Sequence, residues 1–381
     1  MNADLIETLA VTLACEEEAG QRVLPMNALE SLANSLGSGT VTGIFTIGGY
    51  VENDPNPPPL FRYHAGKNKW TQSRVRLPNE YYENIGWIGA SSTTMGDGST
   101  LICNATDAMR DILGFIFRVE YMQPSGPIKS AMFESLGEDD AFEYACRSNA
   151  SLVTLPSGMI LRLGGRVDPK MYGGFPPITP NAMYDPSKKP FAPPRLTNQL
   201  SDTLGRRAGY AFGEWSALDL GVEMPWAMFC IVLVGGEVLL TGGLNPMGQT
   251  EKVRSACLIY SPTTGAFRRT GEMTSPRSHH AGCLLPNGRV FVCGGIRSSL
   301  VRSTTCEEYT PSSGEWTELP PPTIGRLGHS CTLLYTGEVL IVGGWDIEQR
   351  CELYDPSTRK IREAARLPVR TAGYVTIPIK D

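Results

Sequence analysis

The chain is 381 residues long and carries 34 Lys and Arg against 39 Asp and Glu, a formal charge of −5. That balance supplies no broad basic field for nucleic acid or an anionic membrane; the longest basic clusters are pairs such as Lys188-Lys189 and Arg206-Arg207. With 41% hydrophobic and 19% charged residues, 41 Gly and 29 Pro, the composition fits neither a disordered chain nor a coiled coil. It suits many short strands joined by frequent turns.

In chain order, residues 1–36 come first and read as helical. Leu5, Leu9 and Leu13 are spaced by four, and MNALESLANSL (26–36) follows as a second segment. A short helical N-terminal extension is expected here, ahead of a repeat domain over 37–381. Leu24-Pro25 with Leu29 and Leu32 resembles the opening of an F-box. That domain needs two further helices, and the repeats begin within about ten residues, so a helix packed on the rim of the repeat domain is expected instead. The apolar stretch 4–14 carries Asp4 and Glu7 and no basic residue, unlike a secretory leader. No run approaches the ~20 apolar residues that span a bilayer. The expectation is a soluble, cytoplasmic protein that is not exported.

From residue 41 onward two signatures alternate. In the first, a tyrosine is followed seven residues later by a large apolar residue, with a turn-rich segment between. It recurs as Tyr63 to Trp70, Tyr121 to Ile128, Tyr184 to Phe191, Tyr260 to Phe267, Tyr309 to Trp316 and Tyr354 to Ile361. That spacing predicts a tight hairpin between two short strands. The second signature is an apolar strand, a short turn and another apolar strand ending in Gly-Gly. Clear copies are LVTLPSGMILRLGG (152–165), IVLVGGEVLLTGG (231–243), CLLPNGRVFVCGG (283–295) and CTLLYTGEVLIVGG (331–344). GIFTIGGY (43–50) has only the second strand, and TLICNATD (100–107) has lost the glycines. The glycine pair is expected where a strand meets a loop in a backbone conformation that side chains disfavour.

Each repeat therefore holds four strands, and the tyrosines recur at intervals that bracket ~50 residues. On these motifs, over about residues 40 to 381, the chain resembles the kelch-repeat family. The copies are strong in the last three repeats and weak in the second. The resemblance implies an all-β, six-bladed β-propeller that binds other macromolecules. Trp345-Asp346 follows a Gly-Gly and occurs once, unlike the strand-closing Trp-Asp of WD40 propellers. The first repeat lacks its leading strand, while AGYVTIPIKD (372–381) follows the last repeat with nothing left to pair. The C-terminal strand should therefore close the ring onto residues 41–70, leaving no open edge.

Two segments exceed the usual loop length and are candidate functional insertions: residues 166–181 and residues 195–222. The second contains Arg206, Arg207, Tyr210, Phe212 and Trp215, side-chain types favoured as binding anchors, although they could equally pin the loop to the ring. Counting back seventeen residues from the first glycine of a pair reaches Arg147, Arg277 and Arg326, but Pro225 in the copy between Arg147 and Arg277. Arg370 stands at the matching place before the C-terminal strand. These arginines are expected on the face that carries the post-Gly-Gly loops and Trp345. There they would grip carboxylate or phosphate groups of a partner, an acidic motif among them, or else cap a neighbouring blade through a carboxylate or carbonyl. In kelch proteins that bind acidic peptides, the resemblance places the site on this face.

Chemistry-bearing signals are sparse. The four histidines are His64, His279, His280 and His329, the last two each three residues after a column arginine. That regularity predicts packing positions. The Tyr and His ligand set of the copper-radical kelch oxidases is absent, and none of the ten cysteines forms a C-x-x-C pair. Neither a metal site nor a cofactor is expected, and strand cysteines should be buried, reduced hydrophobes. The reading is a non-catalytic interaction propeller, an adaptor or a subunit of a larger assembly. The rival is a sugar-modifying or isomerising kelch enzyme with a site in the central channel.

Overall fold

The computed structural model describes residues 41–50, 60–72, 85–86, 91–96, 100–107, 115–120, 130–134, 149–165, 181–188, 214–221, 224–245, 252–298, 301–344, 349–369 and 372–380. The helical extension expected over 1–36 lies outside them. Among the described residues the chain is almost entirely strand and turn, and no helix is long and apolar enough to cross a membrane.

Five antiparallel four-stranded sheets form the blades of a propeller. The last three are built alike. In the third blade, strands Phe229–Val232, Val238–Thr241, Cys257–Ser261 and Ala266–Arg269 pair in chain order. The fourth blade repeats this with Ala281–Leu284, Val290–Cys293, Cys306–Thr310 and Glu315–Leu319. The fifth uses Ser330–Leu333, Val339–Val342, Cys351–Asp355 and Lys360–Ala364. Their second strands are buried at every position, as in VFVC and VLIV, because both faces pack against neighbouring blades.

The expected hairpins explain the pairing of the outer strands. Tyr63, Tyr260, Tyr309 and Tyr354 lie opposite Trp70, Phe267, Trp316 and Ile361. The aromatic pairs sit about ring-contact distance apart, 5.1 Å for Tyr63–Trp70 and 5.0 Å for Tyr309–Trp316. Each tryptophan also ties its blade to the preceding one: Trp70 Nε1 donates to Ala365 O and Trp316 Nε1 to Gly271 O.

Closure follows the expected seam. Strand Ala372–Lys380 pairs along Val41–Tyr50, with Phe45 opposite Ile377, and becomes the innermost strand of the first blade. Innermost strands then touch in a closed circuit: Ala372–Lys380, Ser91–Thr94, Ser151–Thr154, Phe229–Val232, Ala281–Leu284, Ser330–Leu333 and back.

The expectation of six blades is corrected to five. Between the first and second blades, residues 85–134 form a five-stranded sheet. The lost glycines are the reason. In the last three blades the second strand stops after four residues, where both glycines of the pair take a left-handed φ, for example +65° and +88° at Gly294 and Gly295. With Asn104-Ala105 in that place, strand Thr100–Asp107 runs on for eight residues. Its first half pairs Ser91–Thr94 and its end pairs Ile85–Gly86, an additional strand.

A second correction concerns 195–222. Residues 214–217 of this expected insertion are the outer strand of the second blade, paired with Ala182–Asp185. Trp215 lies opposite Tyr184, taking the place expected of Phe191.

Candidate functional site

The arginine column decides where a site can form. Arg277 is fully buried, and its guanidinium donates to Gly294 O at 3.0 Å, Thr305 O at 3.0 Å and Thr305 Oγ1 at 2.9 Å, besides pairing with the buried Glu307. Glu307 also accepts from the backbone N–H of Thr274 at 2.7 Å. Arg326 repeats the arrangement: it donates to Gly343 O at 2.8 Å and Arg350 O at 2.7 Å, and Nη2 reaches Glu352 Oε2 at 2.9 Å. Meanwhile the carbonyls of Arg277 and Arg326 accept from Gly243 N and Gly295 N of the preceding blade. Each arginine is thus a staple between adjacent blades.

The structure gives Arg277 and Arg326 the capping role that was the expected alternative to gripping a partner. A guanidinium with no exposed surface, its two Nη groups already engaged by internal acceptors, cannot grip an incoming carboxylate. The sequence spacing located them correctly. It could not locate Glu307 and Glu352, thirty and twenty-six residues further on, which satisfy the charge internally. Arg147, Arg370, Trp345, Arg206 and Arg207 lie outside the described residues, as does 166–180 of the first insertion.

The third blade lacks the staple, because Pro225 replaces the arginine. Leu258 stands where the fourth blade has Glu307, and Ala256 where it has Thr305. The slot is left as a cleft of about 530 Å³ on the post-Gly-Gly face, bounded by Pro225, Gly242, Ala256 and Leu258. Around it stand Lys252, Arg254 and Arg269, with Glu272 the one carboxylate among the lining residues. Lys252 and Arg269 are exposed, and Arg254 is half-buried with Nε donating to Asn245 Oδ1 at 2.7 Å. Glu272 Oε2 accepts from Ser255 Oγ at 2.9 Å. Three cations at a concave mouth suit carboxylate groups. The signal for this site was present in the sequence as the gap in the arginine column.

The histidines occupy packing positions. His280 Nε2 meets Thr241 Oγ1 at 2.8 Å across the interface of the third and fourth blades. Burial, followed by the nearby Arg277 charge, holds this imidazole well below its ordinary pKa. His279 packs edge-on against Trp226 with ring centroids 5.5 Å apart, and burial pulls it down to about 4. None of the described residues lining the cleft is a histidine.

At the next interface, Thr241 is replaced. Cys293 Sγ lies 3.2 Å from His329 Nε2 and 3.5 Å from Cys331 Sγ. Hydrogen bonds from the Cys306 and Cys331 thiols hold Cys293 well below the ordinary thiol range, while burial pushes Cys306 and Cys331 well above it. Seven of the described cysteines, Cys103 apart, are free, and six of these are buried, in line with the expected buried strand thiols. Their convergence on one histidine was not expected, since the donors come from two blades and share no short motif.

Comparison with known proteins agrees with this architecture. The Kelch motif family model matches residues 277–323, which run from the Arg277 staple through the whole fourth blade. No curated protein matches the sequence.

Proposed function

We propose that this chain, a kelch-repeat β-propeller, is a non-catalytic interaction ring that receives an acidic segment of a protein partner at the third-blade cleft. It would serve as an adaptor or as a subunit of a larger assembly in the cytoplasm. The observation that carries this reading is the unfilled arginine slot. Where the fourth and fifth blades bury a guanidinium and its carboxylate, the third leaves a concavity rimmed by Lys252, Arg254 and Arg269. Concave walls with cations at the rim are a combination that recognises charge without large rearrangement.

The lining also speaks for binding over catalysis. Its one carboxylate, Glu272, is exposed and hydrogen-bonded to Ser255, and no described lining group has the paired acid and base that isomerisation of a sugar would use.

Affinity purification of the tagged wild-type chain, followed by mass spectrometry, tests the reading alongside a Lys252→Glu, Arg269→Glu double variant. Both side chains are exposed, so the melting temperature should move little. The variant should lose partners whose bound segments are acidic, and wild-type recovery should fall as salt rises. Identical recovery by the two proteins would refute the cleft as the docking site.

A further inference from the structure

We propose that Cys293, His329 and Cys331 form a zinc site that staples the fourth blade to the fifth. The three donor atoms Cys293 Sγ, His329 Nε2 and Cys331 Sγ all lie within 4.8 Å of one another. The separations of 3.5 Å and 3.2 Å compare with the edges of a zinc tetrahedron, about 3.8 Å between sulfurs and about 3.5 Å from sulfur to nitrogen for Zn–S and Zn–N bonds of ~2.3 and ~2.0 Å. Small side-chain rotations accommodate that difference. Cys306 is the cross-strand partner of Cys293, so a third thiol stands on the same face of the sheet beside the three donors.

The repeat provides an internal control. The equivalent interface between the third and fourth blades keeps the histidine, as His280, in contact with the last residue of the second strand. There that residue is Thr241, paired across the sheet with Cys257, and Gly282 stands where the next blade has Cys331. The fifth blade has Val342 opposite Cys351. Histidine and the cysteine of the third strand therefore belong to the blade plan. Cys293 and Cys331 are the departures from it, and both fall against the same imidazole.

Burial suits a metal. Cys293 and Cys306 have no exposed surface and His329 is 8% exposed, whereas Cys331 is half-buried and gives an ion a route inward. On binding Zn²⁺, two thiols release their protons to solvent. Two thiolates and a neutral imidazole then balance the dication, so the charge left in the interior is zero. Three soft donors from two blades favour this ion over Mg²⁺ or Ca²⁺, which take oxygen ligands.

The test uses the full chain, purified in reductant, and a Cys293→Thr variant that copies the third blade and so preserves the histidine contact. Zinc content by mass spectrometry should be one ion per wild-type chain, and Co²⁺ substitution should give the visible bands of a tetrahedral thiolate site. Cys293→Thr should weaken binding more than about a hundredfold, beyond what loss of an outer-shell partner does. Added Zn²⁺ should raise the melting temperature of metal-stripped wild type and leave the variant unmoved. A Cys331→Ser variant guards against misfolding of the first and should show the same loss. Stripped wild type that takes up no Zn²⁺, or takes up Cu⁺ in its place, overturns the assignment. So does equal uptake by the variants, or a Cys293–Cys331 disulfide in protein that fails to bind zinc after reduction.

Discussion

The third and fourth blades share a backbone plan and differ in what they do with the same buried positions. In the fourth, Arg277 and Glu307 fill the slot beneath the Gly-Gly corner, and Cys293 meets His329. In the third, Pro225 and Leu258 leave that slot open, and Thr241 meets His280. The backbone needs neither ion pair nor thiol cluster to form a blade. Buried polar groups here are additions to a fold that apolar strands already specify, and each addition ties its bearer to a function: a staple where the slot is filled, a cleft where it is not.

The largest expected effect comes from breaking the staple on one side only. Glu307→Leu copies the third blade and strands Arg277 in the interior without its carboxylate, which should cost about 3–5 kcal/mol in urea unfolding. Adding Arg277→Met removes the stranded charge and should recover most of the loss. A double variant no more stable than the single one would show that the arginine's bonds to Gly294 O and Thr305 O, not its charge balance, fix the segment leading into the fourth blade.

Acid should separate the two interfaces next. His279 has a folded pKa of about 4, below its ordinary 6.5, so between those values the unfolded chain binds the extra proton. Stability from this group is complete above pH ~6.5 and declines as pH falls, by roughly 3 kcal/mol at pH ~4. His280 is shifted in the same direction and adds to the slope. Chemical denaturation across that window should show the decline, and His279→Asn, which tolerates the left-handed φ of +53° here, should flatten it. An unchanged slope would place the acid sensitivity elsewhere.

The smallest effect is expected on the surface. Arg268 of the third blade reaches Glu237 at 2.7 Å, but the two side chains are 57% and 37% exposed. Arg268→Ala should change stability by less than ~1 kcal/mol and less still in high salt. A larger change would mean that buried position is not what sets the worth of charges in these blades.

Much of the fold was legible because blade geometry is local. Tyr309 and Trp316 are seven residues apart in sequence and face each other across one hairpin, so the spacing itself carries the contact. The seam between Ala372–Lys380 and Val41–Tyr50 was legible for a different reason, since an unpaired strand at one end answered a missing one at the other. Tyr184 misled: its neighbour across the sheet is Trp215, thirty-one residues on, because the connection there is long. The second repeat misled too, since nothing in TLICNATD announces that its unbroken strand pairs with an additional one.

Alone, then, the sequence determined a ring of antiparallel blades, the column of arginines and the gap at Pro225, all properties of a period that each repeat restates. Tertiary structure decided what those residues do. Arg277 became a buried staple because Glu307 folds back beneath it, and the Pro225 gap became a cationic cleft because Lys252, Arg254 and Arg269 surround it. Cys293 and Cys331 lie thirty-eight residues apart on different blades, and only the packing of those blades sets their sulfurs 3.5 Å apart. A repeat fixes contacts within its own period; contacts between periods depend on how the ring closes.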